Sequence, residues 1–361
     1  MTSALFSPIT VAGMTLPNRI AVAPMCQYSA DDGSANDWHL QHWMGLGMSG
    51  AGMITLEATG VERRGRITHG CLGLYSDNNE ASITARLAAA RRVSPPATKF
   101  GIQLAHAGRK ASSQRPWEGG GPLDESGDPW QAVAPSAIAF GDGWHVPQAL
   151  SEAGIARTIA AFVAAAQRAR RSGFDFVELH GAHGYLIHEF LSPLANRRAD
   201  QWGGSLENRM RLFLAVLREV RAALPADFVV GARISATDWM ENGFTPDEAV
   251  KVAAALKQQG LAYLCVSTGG MHPQAEVPAG PSYQVPFAER IRRETGIITR
   301  AVGLIDDPKV ADDIVASGKA DLVALARPML ADPRWPWRAA KALGAPMHIV
   351  PQYLRAAPFV K

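Results

Sequence analysis

The chain has 361 residues, of which 47% are hydrophobic and 19% charged, a composition typical of a globular protein with an ample core. A net charge of +3 is too small and diffuse to indicate nucleic-acid binding, and no apolar run reaches the ~18 residues that a membrane span needs. The N-terminus lacks the pattern of a secretory signal, and three scattered cysteines favour a reducing compartment, so we expect a cytoplasmic protein.

Eight apolar runs are predicted to form strands, and helical patterns lie between them. Continuous Val, Ile, Leu and Phe, rather than alternation, is typical of parallel strands buried on both faces. Ser151 and Thr245 are plausible helix N-caps, and Gly173 and Gly260 fit C-terminal stops. The predicted strands lie near Arg19–Pro24, Gly52–Ala58, Lys99–Ala105, Phe174–Leu179, Phe228–Ile234, Tyr263–Ser267, Ile297–Ala301 and Asp321–Ala326. The predicted helices are His39–Ser49, Asn78–Arg92, Glu152–Arg171, Leu206–Ala223, Pro246–Gln259, Val285–Glu294, Pro308–Ala316 and Pro333–Leu343.

Eight strand–helix pairs are the number found in a (β/α)8 TIM barrel, so we predict a single barrel domain over residues 1–361. A doubly wound α/β sheet is the structural alternative, and the absence of G-x-G-x-x-G after the first strand weakens it. The segment Ser112–Val146, rich in Gly, Pro and Trp, is a long connection after the third strand. We expect it to form a lid over the barrel mouth.

Polar residues stand at or near the ends of several predicted strands, where barrel enzymes carry their reactive groups. Cys26 follows the first strand and is either a small buried hydrophobe or a ligand contact. Gln103 lies inside the apolar third strand, so its amide needs partners from the backbone or from a polar ligand. Arg233, near the end of the fifth strand, needs an anion or an electron-rich ring, which a barrel carboxylate or a ligand would supply.

A candidate phosphate site follows the last two strands. Gly303 follows the seventh strand, and Ala326 and Arg327 follow the eighth. Loops at these places form the usual barrel phosphate site, because glycine allows close backbone approach and helix-terminal amides point at the anion. Together with the thiol, amide and guanidinium, this anion site would hold a phosphorylated, hydrogen-bonding planar cofactor.

The segment Val177–Arg209 is the most informative in the chain. The fourth strand runs directly into His180, His183 and Tyr185, which concentrates two imidazoles and a phenol at one strand end. A carbonyl oxygen needs such donors if a neighbouring carbon is to accept a hydride. A His-x-x-His metal pair is an alternative, but the glycines between and beside the histidines disfavour a rigid helix, and we expect no metal.

These motifs resemble those of the old yellow enzymes, a family of flavin-dependent ene-reductases, and the resemblance extends from Leu5 to Pro333. Its specific segments are residues 18–20 (NRI), 23–28 (APMCQY), 65–68 (GRIT), 101–110 (GIQLAHAGRK) and 180–185 (HGAHGY) with the tail through residue 209. Cys26 and Tyr28 are similar to the cysteine-bearing bacterial branch, which includes xenobiotic reductase A and the thermophilic-like ene-reductases.

The resemblance implies bound FMN, NADPH or NADH as hydride donor, and reduction of α,β-unsaturated aldehydes, ketones, maleimides or nitroalkenes. Carried over by position, the flavin contacts would be Ala23, Pro24, Met25, Cys26 and Ala58 along the ring, Gln103 at its pyrimidine edge, Arg233 near N1, and Gly303, Ala326 and Arg327 at the phosphate. His180 and His183 would hold the substrate carbonyl, Tyr185 would donate a proton, and Tyr28 would line the substrate site.

The resemblance also implies a homodimer or homotetramer, in which Arg355 of the tail 345–361 would reach a neighbouring subunit's active site. Two departures from the family pattern stand out. Ala326 replaces a common glycine, which makes phosphate binding by its amide less secure. Arg300 stands where a small residue is commoner, and we expect it to reach the phosphate or a neighbouring helix.

Two other functions remain open from the sequence. A flavin-free barrel aldolase or isomerase would bind a phosphorylated substrate at Gly303 and Arg327, with Lys110, Glu57 or Glu178 as its candidate reactive groups. A flavin-binding sensor without catalysis is the second, although a sensor has no need of a proton donor such as Tyr185.

Overall fold

A closed barrel of eight parallel strands forms the centre of the protein in the computed structural model, which describes residues 3–360. The barrel confirms the predicted (β/α)8 fold, and each of its strands overlaps a predicted one. The barrel strands are Ile20–Val22, Met53–Gly60, Lys99–Ala105, Phe176–Gly181, Val229–Ser235, Leu264–Ser267, Thr299–Ala301 and Leu322–Leu325. The fourth strand ends two residues later than predicted, so His180 lies within it and is fixed by the parallel register.

The helices surround the barrel largely as predicted. The predicted helix Leu206–Ala223 is interrupted at Met210, and two short helices directly after barrel strands were missed. Thr245 forms a capping box with Glu248, which confirms its predicted role as an N-cap. The α-helices are Asp37–Gly47, Asp77–Val93, Glu152–Arg171, Leu186–Leu191, Leu206–Arg209, Arg211–Ala223, Pro246–Gln258, Val285–Thr295, Pro308–Ala316, Arg327–Ala331 and Trp335–Ala342. The 3-10 helices are Arg63–Gly65, Gly108–Lys110, Pro116–Glu118, Glu125–Gly127 and Pro351–Phe359. None of the helices among residues 3–360 is long and apolar enough to cross a membrane.

An antiparallel hairpin that the sequence analysis missed closes the N-terminal end of the barrel. Its strands are Ile9–Val11 and Met14–Leu16, and three of their side chains belong to the same apolar cluster as Phe176 and Tyr263 inside the barrel. The hairpin strands are only three residues each, too short to give a clear periodic signal. With this end covered, the C-terminal end of the strands is the open one.

The Ser112–Val146 connection has local structure. Val133–Ala134 pairs with Gln148–Ala149, and the Trp130 indole donates to the Arg64 carbonyl oxygen over 2.9 Å. Trp117 remains 67% exposed while its ring meets that of Tyr28, with 5.8 Å between centroids. The connection is thus anchored at its middle, and its aromatic side chains reach the barrel face that carries Tyr28.

Candidate active site

The strand register brings the predicted reactive residues together at the C-terminal end of the barrel. Ala58 is paired with Gln103, Gln103 with Glu178, and His180 with Arg233. Side chains paired across neighbouring strands lie side by side on the same face of the sheet. Four separate segments of the chain therefore supply one continuous surface, which the sequence predicted from strand ends alone.

His180, His183 and Tyr185 form a compact cluster. The His180 ring lies 5.1 Å from the His183 ring and 5.0 Å from the Tyr185 ring, centroid to centroid, in edge-to-face arrangements. The Nδ1 atom of His180 accepts the Ala182 amide over 3.2 Å, so in the neutral ring Nε2 carries the proton and is the donor. His183 Nε2 lies 2.8 Å from the Ser267 hydroxyl, which orients the second imidazole.

Lys110 fixes the loop that carries this cluster. Its ammonium donates to the carbonyl oxygens of His183 (3.0 Å) and Gly270 (3.2 Å), which belong to two different strand–helix loops. A Cβ atom at Gly184 would lie 2.1 Å from the Gly270 oxygen, so only glycine allows the two loops to touch. From the sequence, Lys110 was predicted only as a candidate reactive group of the flavin-free alternative. Its position in the 101–110 segment was the available signal for a structural role.

Burial sets the protonation states in the cluster. It lowers the pKa of His180 and of His183 well below the usual value for histidine, and the nearby Arg233 charge acts in the same direction. Burial raises the pKa of the Tyr185 phenol well above its usual value. At neutral pH the cluster therefore offers two neutral imidazoles and a protonated phenol, all able to donate a hydrogen bond.

A cavity of about 790 Å³ opens beside the cluster and reaches the predicted phosphate site. Gly303 has a φ of +117°, and a Cβ there would lie 2.9 Å from the Gln284 amide oxygen, so the position favours glycine. Because glycine has no side chain, a ligand in the cavity can approach its backbone closely. Ala326 has a φ of −109°, so the position does not require the left-handed conformation that favours glycine, and a methyl group is compatible with it. The cavity brings together the predicted residues His183, Arg233, Gly303, Ala326 and Arg327, and adds Ser267, Thr268, Tyr283, Gln284 and Trp335, which the sequence analysis missed.

Arg233 carries a charge that no carboxylate neutralises within residues 3–360. One of its terminal nitrogens contacts the Ser267 hydroxyl at 3.4 Å, and its Nε has no partner although it is buried. The alternative that a barrel carboxylate satisfies this guanidinium is therefore wrong. A buried guanidinium with unused donors at a cavity wall fits an anionic or electron-rich ligand.

The first strand and the residues after it form the other side of the site. Ala23 is buried, whereas Pro24, Met25 and Cys26 are partly exposed. Although the residue is partly exposed, the surrounding protein desolvates its sulfur, which raises the pKa of the Cys26 thiol well above its usual value, so the thiol is neutral at pH 7. The backbone N–H of Gln27 donates to the Glu57 carboxyl over 2.9 Å, which anchors the turn that follows the first barrel strand.

A second cavity, of about 310 Å³, lies under the Ser112–Val146 connection. Tyr28, Lys110, Trp144 and Tyr185 are among the residues that line it. The predicted substrate contact Tyr28 and the predicted proton donor Tyr185 thus share one space. Because His183 lines the larger cavity, the cluster of His180, His183 and Tyr185 lies between the two cavities. That space is large enough for a small organic molecule, and both aromatic and polar residues line it.

Two arginines lie away from this site. Arg300 is fully buried inside the barrel and forms an ion pair with Glu178, so the expectation that it reaches the phosphate or a helix is wrong. The reason is that the seventh strand directs this side chain inward, where a carboxylate balances its charge. Arg355 is exposed on the 3-10 helix Pro351–Phe359 and lines neither cavity.

The arrangement fits FMN on three observations of the structure. The unpartnered guanidinium of Arg233 suits an electron-rich ring, and Gln103 supplies an amide at the barrel mouth. The bare backbone at Gly303, with Arg327 beside the same cavity, suits a phosphate group. Arg233, Gly303 and Arg327 line the same cavity, whereas Gln103 is not among its lining residues and is held beside Glu178 in the barrel.

Comparison with known proteins gives consistent matches. The NADH:flavin oxidoreductase / NADH oxidase family matches residues 4–345. The chain is 44% identical over 357 residues to an NADPH dehydrogenase of Geobacillus sp. (strain WCH70), covering 98% of this chain and 99% of that protein. It is 40% identical over 357 residues to an NADPH dehydrogenase of Bacillus subtilis (strain 168), with the same coverage. Among solved structures, morphinone reductase aligns with a TM-score of 0.78 at 29% identity, covering 96% of this chain and 91% of that one.

Proposed function

Because this chain belongs to the NADH:flavin oxidoreductase / NADH oxidase family, it is an FMN-dependent oxidoreductase that takes hydride from a nicotinamide, and we propose that it delivers that hydride to activated C=C bonds. The substrates we propose are α,β-unsaturated aldehydes, ketones, maleimides and nitroalkenes. Relatives named NADPH dehydrogenase favour NADPH as the donor, although a neighbouring structure is described as morphinone reductase in complex with tetrahydroNAD. Both nicotinamides therefore belong in the first assays.

The observation that carries this proposal is the cluster of His180, His183 and Tyr185. FMN, when bound, supplies hydride transfer to the β-carbon of the substrate. As hydride arrives, negative charge develops on the substrate's carbonyl or nitro oxygen, and the two neutral imidazoles donate hydrogen bonds to that oxygen. The Tyr185 phenol lies in the same cluster and is kept protonated by burial, and it would donate a proton to the α-carbon.

We propose that the larger cavity wall holds the cofactor. Arg233 would stabilise negative charge on the ring, and Gln103 would bind its pyrimidine edge. Gly303 and the Ala326–Arg327 turn would bind the phosphate through backbone amides and a guanidinium. Residues 23–26 and Ala58 would pack along the ring.

The smaller cavity is our proposed substrate pocket. Tyr28, Tyr185 and Trp144 line it, and the Ser112–Val146 connection covers it as a lid within a single domain. The Trp144 ring meets Phe140 edge-to-face with 5.0 Å between centroids, so aromatic contact stabilises the C-terminal part of this connection. Exclusion of water by this cover would strengthen the hydrogen bonds from the imidazoles.

A homodimer or homotetramer is proposed from the C-terminal tail. The 3-10 helix Pro351–Phe359 exposes apolar side chains, with Leu354 59% and Phe359 82% exposed. Association through this tail would bury them and bring Arg355 to the neighbouring subunit's active site. Light scattering tests the association, and Arg355→Ala should raise KM for the enone, whereas the exposed control Arg218→Ala should not. A fully active monomer would contradict the proposal.

We further propose a cytoplasmic location, since the thiols of Cys26, Cys71 and Cys265 form no disulfide. The flavin-free aldolase or isomerase alternative loses two of its three candidate reactive groups in this fold. Lys110 is held by two carbonyl oxygens, and the Glu178 carboxylate is ion-paired.

An anaerobic titration tests the proposed reaction. The flavin absorbance of the purified protein should bleach with NADPH and return when 2-cyclohexenone is added. A colourless protein that FMN cannot reconstitute would favour the flavin-free alternative. Bleaching by NADPH without reoxidation by any activated alkene would instead favour a flavin-binding sensor.

A further inference from the structure

A chain of buried polar side chains crosses the barrel interior beneath the proposed ring site. Glu178 is its centre: one carboxylate oxygen accepts the Gln103 amide over 2.8 Å, and the other accepts the Tyr263 hydroxyl over 2.8 Å. Arg300 donates to that second oxygen as well, and its other terminal nitrogen donates to the Thr55 hydroxyl over 3.0 Å. All five side chains are 2% exposed or less, so solvent screens none of these contacts.

The carboxylate dictates how Gln103 is oriented. An ionised carboxylate only accepts hydrogen bonds, so the amide must turn its NH2 group towards Glu178. With the NH2 group turned towards Glu178, the amide oxygen of Gln103 faces away from that carboxylate. It makes no hydrogen bond within residues 3–360. Gln103 therefore presents an acceptor, together with one remaining N–H donor, to whatever occupies the barrel mouth. This pair complements the adjacent N–H and C=O groups of a pyrimidine edge.

Arg300 neutralises the charge that this arrangement requires. A carboxylate buried without a cation would take up a proton, or would place a negative charge below the cofactor ring. The Arg300 guanidinium forms the ion pair and also lies over the Tyr263 ring, 5.1 Å from its centroid. Glycine at position 231, next to Glu178 in the register, gives the Tyr263 ring its space, because a Cβ there would lie 2.1 Å from that ring.

We propose that Glu178 and Arg300 are a pair of positioning residues for the cofactor. Glu178 sets the amide of Gln103 so that it recognises the pyrimidine edge, and Arg300 cancels the carboxylate's charge so that reduction of the ring is not opposed. The inference rests on the proposed FMN-dependent function. Neither residue lines either of the two cavities described above, so both act through Gln103 and through the electrostatic potential.

The test measures the midpoint potential of bound FMN in single and paired variants. Arg300→Met leaves a carboxylate uncompensated and should lower the potential by about 30 mV or more, the equivalent of a tenfold change for a two-electron couple. Glu178→Gln leaves a guanidinium uncompensated and should raise the potential by a similar amount. The double variant, which combines Glu178→Gln with Arg300→Met, should stay near the wild-type potential. The charge-preserving control Arg300→Lys should do the same. A purely structural pair would not shift the two single variants in opposite directions.

The affinity for oxidised FMN tests the orientation of Gln103 separately. Glu178→Gln and the double variant should both bind FMN ~10-fold more weakly, because a glutamine at 178 offers both donor and acceptor and no longer fixes the Gln103 amide. Arg300→Met keeps the Glu178–Gln103 hydrogen bond and should bind oxidised FMN almost as the wild type does.

The outcomes separate this inference from the proposed function. Wild-type protein that binds no FMN would contradict the proposed function itself. Wild-type binding with equal potentials and affinities in all variants would overturn only the inference. If the single variants fail to fold, the neutral double variant decides by its FMN affinity, since removal of both charges of a buried pair is usually tolerated. Wild-type affinity in that variant would overturn the positioning of Gln103 by Glu178.

Discussion

Replacement of Tyr185 by phenylalanine isolates the proposed proton transfer. The change removes one hydroxyl and keeps the ring, which packs edge-to-face on His180 at 5.0 Å between centroids. A positioned general acid contributes typically ~10²–10⁴-fold in rate. Tyr185→Phe should therefore slow alkene reduction by that factor, about 2.7–5.5 kcal/mol of barrier. Burial raises the pKa of the Tyr185 phenol well above its usual value, so the phenol stays protonated. The wild-type rate of alkene reduction should therefore not fall up to pH 9 through ionisation of this acid.

The two half-reactions distinguish a proton donor from a structural residue. Stopped-flow absorbance follows flavin bleaching by NADPH, and then flavin reoxidation by 2-cyclohexenone, under anaerobic conditions. Nicotinamide oxidation needs no proton on a substrate carbon, so Tyr185→Phe should leave the first step within a few-fold of wild type. Slowing of both steps by the same factor would refute the role of Tyr185 as the acid, because it would indicate a general disturbance of the site.

Three further results are expected. His180→Ala should slow enone reduction by ~10²–10³-fold while FMN stays bound, as steady-state kinetics and the visible spectrum would report; release of FMN would mean that His180 belongs to the cofactor site. Gly303→Val should raise the Kd of FMN ~10-fold or more, because a side chain is strained at φ +117° and would meet Gln284. The control Gly280→Ala has open space around it and should leave the Kd of FMN unchanged. Burial raises the pKa of Glu57 and of Glu189 to about 8, so the folded chain holds protons that the unfolded chain has lost. The free energy of unfolding by urea should therefore fall from pH 7.5 to pH 9, above the range in which the histidines of the unfolded chain titrate. An increase over that interval would show that these carboxyls are ionised in the folded protein.

The eight strands were predictable because each is an almost unbroken apolar run that is buried on both faces in a parallel barrel. The elements that were missed are short. The hairpin Ile9–Leu16 and the helices Leu186–Leu191 and Arg327–Ala331 have too few residues to establish a period, and their positions depend on contacts with the barrel.

The sequence by itself determined the barrel and the kinds of group at its mouth, since side-chain chemistry and strand order are local properties of the chain. It placed His180, His183 and Tyr185 at one strand end. Only the tertiary structure decided which groups are neutral, because burial and the proximity of Arg233 shift their pKa values. Only the fold, too, could pair Arg300 with Glu178, which lie 122 positions apart in the chain and meet because the strands close into a barrel.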